Sequence, residues 1–319
     1  MKRLLLSSFT LLFFCTNGSA HSSSIAPGID VVLGTFSPNR QPDGNTVIFH
    51  APDGLIVMDT GRHAEHTRQI VEFAEQAKLP IKAIINSHWH LDHIGGNPRI
   101  RAKYPGVLIY ASGALEGAMR GFLADYRKYL DAAIQKAPDD PQAQGWRDEL
   151  AIIMTAPQSY PDEIITKTET RTIAGRKLAL HLEINTVTAG DVWVFDPPTR
   201  VLAAGDLVTL PVPLLDTACP ERWKAALDDI STTKFKTLVP GHGLPMQREG
   251  FETYRRAYDN LLECAASNKL KHECGDGWVR DAGSLIADID RTFAKSLMDY
   301  YMVNSLRDDP AKLARLCGM

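Results

Sequence analysis

At 319 residues, 44% of them apolar and 23% charged, the chain can bury a large core, in one long domain or two ordinary ones. A formal net charge of −3 leaves no basic footprint, so no nucleic-acid partner is expected, and the composition excludes disorder on a large scale.

Residues 1–20 stand apart from the rest. Lys2 and Arg3 form a short positive start, Leu4 to Cys15 is almost wholly apolar, and Gly18-Ser19-Ala20 supplies the small residues that a signal peptidase reads. An apolar run of about twelve residues falls short of the ~20 that a spanning helix needs. Phe14 is too bulky to precede a lipidated Cys15. The expectation is a cleaved signal peptide over 1–20 and a mature chain, 21–319, that begins near His21 in the periplasm or outside the cell, with no stable membrane anchor. The mature chain keeps Cys219, Cys264, Cys274 and Cys317, for which an oxidising compartment allows three pairings. Cys264 and Cys274 flank the polar stretch Ser267-Asn268-Lys269 and are expected to close a loop, with Cys219 and Cys317 as the other pair. Four free buried thiols are the alternative.

Asn45 to His50 and Leu55 to Asp59 are short apolar runs separated by Pro52-Asp53-Gly54, which predicts a hairpin. Arg62 to Lys78 has helical periodicity and ends before Pro80. Ile81 to Asn86 and Val107 to Tyr110 are further strands, so strand and helix alternate in an α/β pattern. From about 113 to 160 the chain turns helical and polar, which points to an insertion. Strands resume at Arg171 to Ile173, Lys177 to Ile184, Asp191 to Phe195 and Arg200 to Ala204. A helix over Pro220 to Ile230, a strand over Thr237 to Val239 and a helical tail over about 246–316 complete the expected order, as one domain.

The chemistry concentrates in Ser87-His88-Trp89-His90-Leu91-Asp92-His93, directly after a strand. Neutral imidazole and carboxylate are the ligands zinc prefers outside thiolate sites. Alternation along an extended stretch points His88 and His90 to one side. The turn that Gly95-Gly96 permits brings Asp92 and His93 round to a second position.

This H-x-H-x-D-H loop resembles the mark of the metallo-β-lactamase superfamily. The resemblance implies an αββα sandwich with a metal site at one sheet edge, usually holding two zinc ions. His88 and His90 match ligands to one metal, and Asp92 and His93 match ligands to the other. Leu202-Ala203-Ala204-Gly205-Asp206 is similar to the family's strand ending in Gly-Asp, whose carboxylate bridges the metals; here that is Asp206. Val239-Pro240-Gly241-His242-Gly243 is similar to its Pro-Gly-His-Gly loop, which makes His242 a ligand to the second metal. Asp59, in Met58-Asp59-Thr60-Gly61, matches an aspartate that orients the site from just outside it. One position departs: the family usually has a histidine just before a Thr-x-Gly stretch, and here Val187 precedes Thr188-Ala189-Gly190. His181 lies six residues earlier, roughly 20 Å along an extended strand, and alternates with Lys177 and Glu183 as a surface-strand histidine does. The first metal therefore has His88, His90 and Asp206, the second has Asp92, His93, Asp206 and His242, and one or two zinc ions per chain stay open.

The resemblance implies an exported zinc-dependent hydrolase that attacks an ester, lactone or related carbonyl bond of a small-molecule substrate with metal-bound hydroxide. Asp92 would be catalytic, holding the nucleophile and carrying its proton. An aspartate at 206 is more like the thioesterase, lactonase and phosphodiester-cleaving branches, and β-lactam hydrolysis is the alternative. A reading of another class is a metal- or partner-binding module with little turnover, because of Val187. Tyr126, Tyr129 and Trp146 are candidates to line a substrate mouth, with simple packing as the bland alternative. His50, His63 and His66 are expected to cap or face the surface.

Overall fold

The computed structural model describes residues 22–35, 40–307 and 309–318. The expected signal peptide and His21 lie outside the described residues.

The expected hairpin forms as β3 (Thr46–Ala51) and β4 (Gly54–Met58), after β1 (Ser22–Ala26) and β2 (Ile29–Val32), and these four run antiparallel. Helix α1 (Ala64–Ala77) starts later than its periodicity predicts. The backbone N–H groups of Arg62 and His63 both donate to Asp43 Oδ1, at 2.7 and 2.8 Å, which holds that stretch outside the helix. At the other end Lys78 takes a left-handed φ of 56° and Pro80 follows, so the helix stops where expected. β5 (Ile81–Ile85), the short α2 (Leu91–Ile94), α3 (Asn97–Lys103) and β6 (Leu108–Ala111) come next, and β5 and β6 extend the sheet in parallel from β4.

The stretch expected to be helical and inserted holds α4 (Ala114–Arg120), α5 (Phe122–Lys136) and α6 (Ala143–Thr155). The two-residue β7 (Glu163–Ile164) then closes the first sheet, whose order is β1 to β7. The second sheet comprises β8 (Glu169–Ile173), β9 (Arg176–Glu183), β10 (Asp191–Asp196), β11 (Val201–Thr209), β12 (Thr237–His242) and β13 (Met246–Gln247), paired in sequence order. α7 (Pro220–Thr232) crosses between β11 and β12, which are parallel. The tail is α8 (Arg248–Ala266), α9 (Lys271–Asp281), α10 (Arg291–Tyr301) and α11 (Pro310–Leu316). Its expected start at 246 is corrected, since Met246 pairs with Leu238 and Gln247 with Thr237 as a strand.

Burial explains the layering. β4 reads Leu-Ile-Val-Met because it is covered on both faces. Ile56 and Met58 join Phe49, Ile85, Leu180, Val194 and Val239 between the two sheets, while Leu55 and Val57 face Ile70 and Ala74 of α1. On the far side of the second sheet, Trp193, Leu202 and Leu238 meet Trp223, Phe251, Tyr258 and Trp278 of the following helices. The result is the expected α/β architecture, an αββα sandwich. Each such fully buried side chain contributes about 1.5–3 kcal/mol over leaving it in water. The helices of the insertion bury Leu115, Leu123, Leu130 and Ile153 against Trp89, Leu91 and Ile94, so they pack on the histidine-rich loop itself.

Two disulfides tie the tail: Cys264–Cys274 closes a separation of 10 residues, and Cys219–Cys317 spans 98. Cross-linking the longer loop should stabilise by roughly 4–5 kcal/mol in the chain-entropy account. Non-reducing peptide mapping of the native protein is expected to recover these two pairs. A Cys219→Ala/Cys317→Ala variant is expected to unfold at markedly lower denaturant than the parent. Native protein in which Cys264 and Cys274 both react with an alkylating agent would contradict the pairing.

Candidate metal centre

The predicted ligands sit where β4, β5, β11 and β12 deliver their C-terminal ends to one edge of the sandwich. Asp59 follows β4, the 88–93 loop follows β5, Asp206 lies in β11 and His242 ends β12. Around them two groups of side chains converge, His88 with His90 and Asp206, and Asp92 with His93 and His242. All six residues from the sequence reading are brought together.

The distances fit a shared cation. Two ligands each about 2.05 Å from a tetrahedral zinc stand about 3.3 Å apart. His93 Nε2 is 3.2 Å from Asp206 Oδ1, and His242 Nε2 is 3.0 Å from Asp92 Oδ2 and 3.6 Å from Asp206 Oδ1. The other carboxylate oxygen, Asp206 Oδ2, is 3.8 Å from His88 Nε2. Asp206 thus turns one oxygen to each group. Among the described residues, neither Asp206 oxygen, nor His88 Nε2, nor His93 Nε2 has a hydrogen-bond partner, although all are buried. Leaving such groups unpaired costs about 1–3 kcal/mol each, and more when charged. A divalent cation among them removes that cost, and the nitrogen and oxygen donor set suits one.

Hydrogen bonds behind the rings fix which nitrogen faces inward. Ser87 Oγ donates to Asp59 Oδ2 at 2.7 Å and so accepts from His88 Nδ1 at 2.9 Å, which leaves His88 Nε2 to the centre. His93 Nδ1 donates to Asp59 Oδ2 at 2.8 Å with the same result. Thr217 Oγ1 donates to the Val187 carbonyl at 2.9 Å and accepts from His90 Nε2 at 2.9 Å, so His90 presents Nδ1. Asp59 does this from a left-handed φ of 64°. That conformation costs of order 1–3 kcal/mol, while a hydrogen bond to a carboxylate returns about 1.5–3 each. Its bonds to the Ser87 N–H and hydroxyl and to His93 therefore outweigh the strain.

The electrostatics are those of a site built for positive charge. Burial, with His93 and His90 alongside, holds the His88 ring well below its ordinary pKa. Burial would lower His93 too, but Asp206, Asp59 and Asp92 overcome it and pull that ring well above the usual histidine range. Burial pushes the Asp206 carboxyl up, and His93 and His242 more than reverse it.

The remaining histidines stay apart. His181 lies on β9, stacked on Trp193 with ring centroids 3.5 Å apart and planes 9° from parallel. His50 pairs with Asp30, His63 with Asp43, and His66 is buried on Thr46 Oγ1 rather than facing the surface. Val187 is fully buried in the apolar cluster of Trp193 and Leu202, so no third imidazole joins His88 and His90. Sequence reasoning missed the parts played by Ser87, Thr217 and Arg62. Ser87 stands inside the motif and was legible there; Thr217 carries no motif. Tyr126, Tyr129 and Trp146 line a cavity of about 1140 Å³ together with Arg62, Arg99 and Glu149.

Comparison with known proteins agrees with the geometry. The family model described as the metallo-beta-lactamase superfamily matches residues 40–242. A linear primary-alkylsulfatase from a Pseudomonas species is 28% identical over 234 residues, covering 66% of this chain and 43% of that protein. A hydroxyacylglutathione hydrolase from Gloeobacter violaceus is 39% identical over 54 residues, 17% of this chain and 21% of that protein. The chain thus spans less than half the length of these curated relatives. Among solved structures, a metallo-beta-lactamase from Pontibacter korlensis aligns with a TM-score of 0.55 at 19% identity, covering 75% of this chain and 99% of that one. A double mutant of a sec-alkyl sulfatase aligns with a TM-score of 0.59 at 19% identity, covering 89% of this chain and 51% of that one. At such identities the structural likeness speaks for the fold alone. By fold, by motif and by the family model across most of its length, the chain belongs to the metallo-β-lactamase superfamily.

Proposed function

We propose that the chain is an exported zinc-dependent hydrolase of a small-molecule ester. The observation that carries this is the pair of converging donor groups, in which buried atoms of His88, His93 and Asp206 face one another with no hydrogen-bond partner among the described residues. A bound divalent metal would polarise the scissile group and lower the pKa of a coordinated water to about 7. Asp92, His93, His242 and Asp206 would hold one ion, and His88, His90 and Asp206 the other. Asp59, Ser87 and Thr217 keep each ring in the tautomer that ligation needs. Burial pushes the Asp92 carboxyl up, yet His93, His242 and the Arg62 guanidinium hold it well below the usual carboxylate range. In this reading Asp92 holds the attacking water and carries its proton toward the leaving group. Of the six ligands, His90 is the one only half-buried, so substrate approaches on its side, beside Trp89.

Carbonyl esters and lactones are the first reading, because an aspartate stands at 206. Sulfate esters are the second, favoured by the likeness to an alkylsulfatase over 66% of the chain. Two disulfides in the described residues support export to an oxidising compartment. The deciding assay is a panel of a nitrophenyl ester, a lactone, an alkyl sulfate and a chromogenic cephalosporin. Turnover of either ester class, lost with chelator and restored by zinc, is expected; no turnover of any member would favour a binding module instead. Asp92→Asn should lower kcat by at least about 10²–10⁴-fold, while His181→Ala should stay within a few-fold of the parent. The reverse order would mean that the site is misassigned. N-terminal sequencing of exported protein is expected to start near His21, and a form still carrying Met1 would count against export.

The two metal positions should differ in strength. With three protein ligands against four, the first should empty first, so dialysis against mild chelator should leave nearer one zinc per chain than two. Two tightly held ions in the parent would show that another residue completes the first position.

A further inference from the structure

Arg62 follows Asp59-Thr60-Gly61 at the end of β4, and its side chain is buried with three partners from three segments. Nε donates to the Pro42 carbonyl at 3.1 Å, and Nη1 donates to both carboxylate oxygens of Glu149. Nη2 lies 3.4 Å from Asp92 Oδ1. Glu149 belongs to α6 of the insertion, is itself buried, and accepts from the Tyr126 hydroxyl at 3.4 Å. The Asp92 carboxylate is therefore divided. Oδ2 faces His242 Nε2 at 3.0 Å and His93 Nε2 at 3.6 Å, while Oδ1 faces the guanidinium.

A fixed positive charge on a metal ligand is a strange thing to build. In a buried site it repels any cation that binds, and charges there are weakly screened. A carboxylate left to itself, by contrast, is free to turn both oxygens toward one metal, as it does in many sites. Both facts are accommodated if Arg62 holds Oδ1 away and Glu149 cancels the charge that Arg62 brings. We propose that Arg62 is a positioning residue that keeps Asp92 on the metal through Oδ2 alone, and that Glu149, supplied by the helical insertion, is the counter-charge that keeps Arg62 from weakening the metal. The insertion is then a working part of the centre and not a decoration on the fold. This rests on the metal reading of the site.

Cobalt titration of the metal-free full chain tests it, because the visible spectrum of cobalt reports how its ligands are arranged. Glu149→Gln keeps the shape but removes the counter-charge, and cobalt affinity should fall by at least about tenfold, the scale of partners behind a ligand. Arg62→Met/Glu149→Met removes both charges, an exchange that buried ion pairs commonly tolerate. It should regain cobalt affinity to within a few-fold of the parent, with an altered cobalt spectrum and a kcat that falls while KM holds. Arg62→Lys keeps a charge without the planar fork and should show an altered spectrum too. Parental affinity in Glu149→Gln, or a parental spectrum in the double variant, overturns the proposal. If Glu149→Gln does not fold, the double variant still decides. A parent that binds no cobalt would instead bring down the metal reading on which this stands.

Discussion

The Asp206 carboxylate sits at the meeting edge of the two sheets with both oxygens buried and neither hydrogen-bonded among the described residues. Much of the surrounding chain is explained by the need to make that tolerable. Imidazoles stand on both sides of it, at 3.2 Å from His93 and 3.8 Å from His88, and they outweigh the effect of burial on its charge. The backbone must also come unusually close. A Cβ on Gly241 would fall 2.0 Å from Asp206 Oδ1, so only glycine fits before His242. Gly205, at a φ of 54°, turns the strand so that Asp206 points inward, and a side chain there would strike Ser87. The glycines of both motifs are thus consequences of packing two backbones around one anion.

That crowding needs a stiff frame. The strands that deliver the candidate ligands are among the most apolar in the chain, and Ile56, Val57, Ile84, Ile85 and Val208 are fully buried. Apolar layers on both sheet faces fix where the strands end, and the candidate metal-binding side chains gather at that edge. Behind the ligands, a second set of hydrogen bonds through Asp59, Ser87 and Thr217 fixes ring orientation. The division is between a dry sandwich that sets position and a polar rim that sets direction.

How much of this the sequence discloses depends on how far apart the contacting residues lie. His88, His90, Asp92 and His93 are legible because a single loop carries them, and Asp206, His242 and Asp59 because each keeps a short motif at a strand end. Thr217 touches His90 from 127 positions away, and Glu149 reaches Arg62 across 87, with no local pattern to mark either. The same applies to the elements. β3, β4 and β5 carry their own apolar runs, whereas Ser22–Ala26 is serine-rich and becomes a strand only by pairing with β2. β11 runs on past the expected end at Ala204 to Thr209, because its partner β12 continues alongside it. α1 begins after His63, not at Arg62, because a carboxylate 19 residues upstream of Arg62 takes the N–H groups that would have opened the helix.

Val187 shows how such distant contacts change a site without disturbing its frame. A buried valine contributes apolar packing beside Trp193, but its carbonyl still reaches Thr217, and Thr217 holds His90. Position 187 therefore still bears on the His88, His90 and Asp206 group through its backbone. The loop that carries Thr217 is itself anchored. Cys219 bonds its N–H to the Thr186 carbonyl at 2.8 Å and its sulfur to Cys317 in the tail, and Asp216 accepts from the Tyr301 hydroxyl at 2.6 Å. Since a hydrogen bond orients a ring only as well as the ring's partner is itself held, these anchors bear on His90 through Thr217. The helical tail, far from the motif in sequence, is in this sense the outermost support of His90, the half-buried histidine of the group.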